Sequence, residues 1–444
     1  MGTLHGASDE GVPLVVDNLQ IHTAKTNHAR DIHILSSAFL LIFLAYGAAQ
    51  NLETTVNTEE NMGTIALGIL YLSFTFFSLV ASLVIRFLGS KNALVLGTSG
   101  YWLFIAANLM PTWYTMIPTS LYLGFAASVI WVGQGTYLTS TARSHARDLQ
   151  LHEGTVIGSF NGEFWAAYAC HQVVGNLMSL VILKDGQEGS TSGTTLLFIL
   201  FLCCMTLGTI LMCFLSKRND KGEQESADSS VSLCSSVTSL LKLVITPLLD
   251  MRMLLIVPLF AYSGLQQALV WAKFTKDIVK PALGTSGIGG AMAVYGALDA
   301  ICSLTAGRLT SGLSSISWMV SSGAFLQAIA FIWILLSYSL TGGVHGVVYP
   351  LLMAAMLGIG DGVFNTQLNA LLGILFKHDT EGAFAQLKVW QSGAIAVVFF
   401  LSPRISIQAM LMIMLAALCV STAGFFFLIL RAEKNFPSRA TPSS

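Results

Sequence analysis

Apolar residues along this chain run in long unbroken blocks rather than alternating with polar ones. Blocks of about 18 residues or more lie near 33–52, 64–86, 92–110, 115–139, 157–181 and 195–215, and again near 253–272, 286–306, 316–337, 348–373, 383–402 and 407–430. A helix needs roughly 20 such residues to cross the hydrocarbon core of a bilayer. Membrane strands would instead alternate apolar and polar positions over about ten residues. The pattern therefore predicts an all-α membrane protein with twelve transmembrane helices.

The blocks also repeat. AYGAAQN at 45–51 returns as AYSGLQQ at 261–267, in the first and seventh blocks. LGFAASVI at 123–130 pairs with LGIGDGVF at 357–364, and GSFNGEFW at 158–165 with GAFAQLKVW at 382–390. Six spans written twice in the same direction predict two parallel six-helix halves, the major facilitator architecture, whose ligand site lies between the halves at mid-membrane. The expected organisation is an N-terminal tail at 1–32, a first half at 33–215, a linker at 216–252, a second half at 253–430 and a C-terminal tail at 431–444. The linker begins charged and serine-rich. Leu233, Val237, Leu240, Val244 and Leu248 then fall at helical spacing, which predicts an amphipathic helix on the membrane face.

Polar residues inside the blocks are unevenly distributed. Spans 3, 6, 9 and 12 carry no interior charge and few amides, mainly Asn108 and Gln327, as suits peripheral helices. The remaining spans hold the groups that are costly to expose to lipid and should face a cavity or another helix. Tyr46 and Gln50 lie one turn apart on span 1, and Tyr262 and Gln266 repeat that spacing on span 7. Span 4 adds Trp131 and Gln134. On span 5, Asn161, Trp165, Tyr168, Gln172 and Asn176 form one stripe, while Glu163 points roughly 200° away and suits an interhelical contact.

Asp361 lies near the middle of span 10, too deep for its short side chain to reach an interface, with Asn365 one turn away. A carboxyl group there is either a proton or cation site or a neutral, hydrogen-bonded lock between helices. The cavity or ligand candidates are thus Tyr46, Gln50, Trp131, Gln134, Asn161, Gln172, Tyr262, Gln266, Asp361 and Asn365. Asp299 and Lys388 are expected nearer the cytoplasmic end as a gating or structural ion pair. Gly133, Gly135, Gly358, Gly360 and Gly362 are expected to permit close helix approach.

Composition agrees with the pattern: 54% of residues are hydrophobic, 10% are charged and mean hydropathy is +0.69. Soluble domains carry about 25% charged residues. With both termini cytoplasmic, 16 of the 22 Lys and Arg fall in the tails and even-numbered loops, as the positive-inside rule requires. Lys273, Lys276 and Lys280 after span 7 are a local exception. The charge pattern carries no nucleic-acid footprint, and the polar first 32 residues do not form a signal peptide. Asp9, Glu10, Leu14 and Val15 faintly resemble a sorting signal. The seven cysteines have neither disulfide nor zinc-ligand spacing. No metal or cofactor is expected, and the expected setting is the plasma membrane or an endomembrane.

One enzymatic alternative is the GxGD element of intramembrane aspartyl proteases, matched by Gly358, Gly360 and Asp361 with Asp299 as a second carboxylate. The order fails, because Asp299 follows Leu298 and the Pro281-Ala282-Leu283 element precedes both aspartates. The expectation is that the chain is not an enzyme.

AYGAAQNLE in span 1, the Gly124 to Thr139 pattern of span 4, FNGEFW with Gly175-Asn176 in span 5, GIGDGVFNTQLNALLG in span 10 and FAQLKVWQSGAIAVVFF in span 11 together resemble the uncoordinated-93-like family. The resemblance covers essentially all twelve spans and is greatest to plant members. It implies a place in the major facilitator superfamily and a role in regulating potassium channels or chaperoning partner membrane proteins. Solute transport is not established for that family as a class. Transporting major facilitators usually carry an Asp-Arg pair between spans 2 and 3, whereas VIRFLGSK keeps Arg86, Gly89 and Lys91 without an acid, and AGRLTSGL after span 8 keeps only Arg308. Two functions follow: a regulatory or trafficking partner of ion channels or other membrane proteins, in potassium homeostasis, and a proton- or cation-coupled carrier of a small solute.

Overall fold

A computed structural model describes residues 27–56, 62–184, 191–217, 246–337, 344–402 and 404–435. The predicted linker helix and the tail signals fall largely outside these residues. Twelve long helices form, and no strand occurs among the described residues. They are α1 (Asn27–Val56), α2 (Met62–Leu88), α3 (Ser90–Ala107), α4 (Trp113–Asp148), α5 (Glu153–Lys184) and α6 (Thr191–Cys213). The second set is α7 (Met251–Leu269), which continues as a π-helical turn over Val270–Val279, then α8 (Lys280–Leu309), α9 (Leu313–Ser337), α10 (Val344–Leu375), α11 (Thr380–Leu401) and α12 (Ile407–Asn435). Each helix matches one apolar block to within a few residues, except where polar ends extend it.

Among the described residues, ten helices are long and apolar enough to cross a membrane. The other two are the 18-residue α3 and α5, whose Asn161, Glu163, His171, Gln172 and Asn176 lower its hydropathy. Those residues of α5 are wholly or partly withdrawn from the outer surface. The outward faces carry large exposed apolar side chains, among them Phe76, Trp318, Leu336 and Phe427, as a lipid-facing surface should.

Local chemistry sets the helix ends. Thr112 caps α4 through a reciprocal pair with Thr115, its hydroxyl accepting from the Thr115 N–H at 3.2 Å. Asp250 accepts from the Arg252 N–H at the start of α7, and Asp379 from the Gly382 N–H at the start of α11. Gly89 adopts φ 77° between α2 and α3, a left-handed geometry that suits glycine and turns the chain within one residue. Gly284 does the same inside α8, with φ 74°.

The sequence repeat is realised as one packing scheme used twice. In the first half α1 packs on α5 and α6, α2 on α4, and α3 on α4 and α6. In the second half α7 packs on α11 and α12, α8 on α10, and α9 on α10 and α12. The halves meet chiefly where α5 lies along α8 and α2 along α11. Helices α3, α6, α9 and α12 are peripheral, as their polarity predicts.

The α5–α8 seam is backbone on backbone. A Cβ on Gly162 would fall 2.6 Å from Gly307 Cα and 2.8 Å from the Ser303 carbonyl, so no side chain fits there without separating the helices. Inside the second half, Gly358 lies against the Tyr295 backbone and Gly362 against Asp299, which brings α10 close to α8. Gly360 meets the Gln327 side chain and Gly135 the Phe384 ring, while Gly133 has only ordinary contacts with Ala93 and Leu94. Of the three lysines that break the charge rule, Lys273 is buried, pairs with Asp277 at 2.9 Å and donates to the Ser402 carbonyl at 3.2 Å.

Candidate functional site

Between the halves lies a cavity holding about 920 Å³ of empty space, counting the part open to solvent. Its two walls differ chemically. The first half contributes rings: Phe43 and Tyr46 from α1, Tyr71 and Phe74 from α2, Tyr101 from α3, Trp131 from α4, and Trp165 and Tyr168 from α5. The Trp131 and Trp165 rings stack at 5.8 Å and 12°, and Tyr168 meets both edge-on at 5.3 Å. The second half contributes polar and ionisable groups: Gln267 and Trp271 from α7, Tyr295 and Asp299 from α8, Asp361 and Asn365 from α10, and Lys388, Gln391 and Ser392 from α11.

Asp361 is buried and fully engaged by neutral donors. The Tyr295 hydroxyl donates to Oδ2 at 2.5 Å and the Asn365 amide to Oδ1 at 2.9 Å. Asp299 accepts from the Ser303 hydroxyl at 3.0 Å. Lys388 lies across the cavity from its own half: Nζ sits 4.6 Å from the centre of the Trp131 ring and donates to Gln391 Oε1 at 2.8 Å. The expected ion pair between Asp299 and Lys388 is not formed. Both residues line the same cavity as Asp361.

Of the other sequence candidates, Tyr46, Gln50, Trp131, Gln172, Asp361 and Asn365 line the cavity. Gln50 donates to the Tyr71 hydroxyl at 3.0 Å. Gln134, Asn161, Tyr262 and Gln266 lie outside it. Asn161 donates to its own helix at the Ile157 carbonyl, 2.9 Å away. Tyr262 is fully buried and donates to Gln327 on α9, and Gln266 reaches the Leu357 carbonyl on α10 at 3.4 Å.

The repeated Tyr-Gln spacing therefore faces the cavity in one half only. On α7 the cavity pair is Gln267 and Trp271, again one turn apart but rotated by one residue, about 100°, from Gln266. Glu163, set aside from the α5 stripe by its phase, contacts His33 of α1 at 2.5 Å. His171 and Tyr295 are cavity residues absent from the candidate set. Tyr295 precedes Asp299 by four residues, so its position on the Asp299 face was the available signal.

One end of the cavity is shut by polar links between the halves. Arg143, about 18 Å along α4 from Trp131, is buried. It donates to the Gly373 carbonyl at 2.9 Å, the Lys377 carbonyl at 3.2 Å, the Thr380 hydroxyl at 3.3 Å and Glu153 at 3.2 Å. Lys377 pairs with Glu153 at 2.7 Å and Arg86 with Asp379 at 2.7 Å. Arg86, retained in a loop that lacks its usual acid, thus finds a carboxylate from the other half.

Above this gate and below the cavity, Gln134, Thr136, Thr139, Thr366 and Asn369 are buried with side-chain atoms that make no hydrogen bond within the protein. Among the described residues no group of three or more His, Cys, Asp or Glu side chains is placed to hold a metal ion. Asp299 and Asp361 share the cavity, yet each accepts hydrogen bonds from its own neighbours.

Comparison with known proteins bears on what this arrangement serves. A family profile described as "Ion channel regulatory protein UNC-93" matches residues 54–427. UNC93-like protein 3 of Arabidopsis thaliana is 68% identical over 415 residues, covering 93% of this chain and 89% of that protein. Protein unc-93 homolog A of Homo sapiens is 29% identical over 438 residues, covering 91% and 94%. The Caenorhabditis elegans protein named "Putative potassium channel regulatory protein unc-93" is 30% identical over 434 residues, covering 89% of this chain and 60% of that protein. Among solved structures, the proton:xylose symporter XylE superposes with a TM-score of 0.66 at 12% identity, covering 92% of this chain and 96% of that one. The major facilitator transporter FucP in its outward conformation gives 0.60 at 13%, covering 90% and 99%. At such identities the likeness is one of fold.

Proposed function

Because the chain belongs to the UNC-93 family of ion channel regulatory proteins, we propose that it is a multi-pass regulatory or trafficking partner of ion channels, with potassium channels the first class to test. The observation that carries this reading is the family match over residues 54–427, which takes in α2 to α11 whole and most of α12. The proposed orientation puts both termini in the cytoplasm. It rests on the 16 basic residues of the tails and even-numbered loops, and it places the Arg143 gate on the cytoplasmic side.

Co-expression with a panel of potassium channels tests the proposal. Channel current or surface density should change when this chain is present, and should not change with an unrelated twelve-helix protein. Unaltered currents and unaltered surface density across the panel would remove the regulatory reading. Accessibility of epitope tags at the two ends, before and after permeabilisation, tests the orientation.

A second reading, a proton- or cation-coupled carrier, is favoured by one observation. The polar groups Gln134, Thr136, Thr139 and Thr366, and Oδ1 of Asn369, have no hydrogen-bond partner in the protein and lie between cavity and gate, where opening of the gate would hydrate them. Flux into proteoliposomes that is lost in Asp361→Asn would support the carrier. Absence of flux of any tested ion or solute would exclude it.

A further inference from the structure

We propose that the central cavity binds a small organic ammonium compound, taken between the aromatic wall and the carboxylates of Asp361 and Asp299, and that Lys388 is a resident cation which the ligand displaces. The inference concerns the cavity alone and goes beyond channel regulation; it is tested without any channel, so either reading can fail while the other stands.

The first observation is that the aromatic wall already holds an ammonium group. Lys388 Nζ lies 4.6 Å from the Trp131 ring centre, within the range at which the ring quadrupole attracts a cation. Trp165, stacked parallel to Trp131, and Tyr168, set edge-on to both, extend the same electron-rich surface. Rings so arranged offer faces and edges to an apolar body as well as to a charge.

The second observation is the charge arrangement on the opposite wall. Two carboxyl groups face the cavity, and neither pairs with a basic side chain. Asp361 takes a phenol donor and amide donors, and Asp299 a hydroxyl, all of them neutral. Buried carboxylates without a cation are expensive, and an ammonium ligand supplies the missing charge. An anionic ligand would instead enter a space flanked by two carboxyl groups.

The third observation is that Lys388 is easily released. It is held by one hydrogen bond to Gln391 Oε1 and by the ring, with no ion pair to break. Its flexible stem can withdraw without moving α11. Lys388 belongs to the second half and Trp131 to the first, so displacing it also removes a contact between the halves.

The competition predicts a sign that no anion site would give. Purified full-length protein in detergent is titrated with phenethylammonium and, separately, with 3-phenylpropionate, binding being read by calorimetry and folding by monodisperse elution and thermal melting. Phenethylammonium is expected to bind saturably. Lys388→Gln, which removes the competing charge but keeps a donor for Gln391, should tighten it roughly tenfold, the worth of one buried cation–π contact. Asp361→Asn should weaken it by about tenfold or more, with Asp299→Asn as the second variant should the first fail to fold. No saturable binding of the amine to folded wild type and Lys388→Gln would overturn the proposal. So would unchanged or weaker amine binding in Lys388→Gln, or preferred binding of 3-phenylpropionate that this substitution abolishes.

Discussion

Replacing Arg143 with alanine removes three hydrogen bonds that cross from α4 to the second half, at 2.9, 3.2 and 3.3 Å, together with the 3.2 Å contact to Glu153. The guanidinium is 9% exposed, so solvent does not compensate for their loss. Hydrogen bonds from a charged donor contribute about 1.5–3 kcal/mol each. Taking the shortest crossing bond near the middle of that range and the two longer ones below it, the closed gate loses about 4 kcal/mol. At 1.4 kcal/mol per decade, that shifts the balance between closed and open gate by roughly a thousandfold. The neighbouring Lys377–Glu153 and Arg86–Asp379 pairs are a third to a half exposed and contribute at most about 1 kcal/mol each, too little to hold the gate alone. Spin labels on cysteines introduced at the exposed positions Arg147 and His378 report the separation directly. Wild type should give a single short distance; Arg143→Ala should give a second, longer population even in low salt, where the surface pairs are strongest. An unchanged single distance in a protein that melts like wild type would refute the account of Arg143 as the principal closure.

Three other outcomes are expected. Tyr295→Phe removes the shortest donor to Asp361 and should cost about 1–3 kcal/mol in a thermal or denaturant melt; the cost should shrink markedly in an Asp361→Asn background, since the two act as a unit. Gly162→Leu forces a side chain into the α5–α8 seam and should abolish a monodisperse fold, whereas Gly290→Leu, where a Cβ meets nothing within 4 Å, should be tolerated in the same elution assay. The hydrogen bond from the Arg252 side chain holds the Asp250 carboxyl below the ordinary carboxylate range. The α7 cap therefore stabilises fully above pH ~4 and fades as pH falls through the lowered value; wild type should lose more melting temperature than Asp250→Asn between pH 5 and 3.

What the chain made legible were features set by solvent and by phase within one helix. Twelve apolar blocks became twelve helices because a bilayer admits no other use of such runs, and the peripheral four were recognisable by their lack of polar groups. Glu163 parted from the α5 stripe as its 200° offset required. Errors arose where the answer depended on neighbours. Gln266 matches Gln50 in the repeat, yet the packing of α7 against α10 and α11 turns Gln267 inward instead. Tyr295 reads as an ordinary aromatic in an apolar run until α10 brings Asp361 to its hydroxyl. Asp299 and Lys388 carry opposite charges at plausible depths, but helical spacing holds no distance between α8 and α11, and the partners of Lys388 are the Gln391 amide and the Trp131 ring rather than a carboxylate.

The π-helical segment Val270–Val279 gives α7 slack that the other helices lack among the described residues. Each π turn stores about one residue more than an α turn, so rewinding a single turn of it would lengthen the rod by about 1.5 Å and swivel everything beyond by about 100°. Trp271 stands at the start of that turn and faces the cavity, while Lys280 at its end leads directly into α8. A change of winding there would work like a turnbuckle. It would reset the aim of one cavity ring and the tension between α7 and α8, with the left-handed Gly284 as the swivel that keeps the strain from reaching Tyr295 and Asp299.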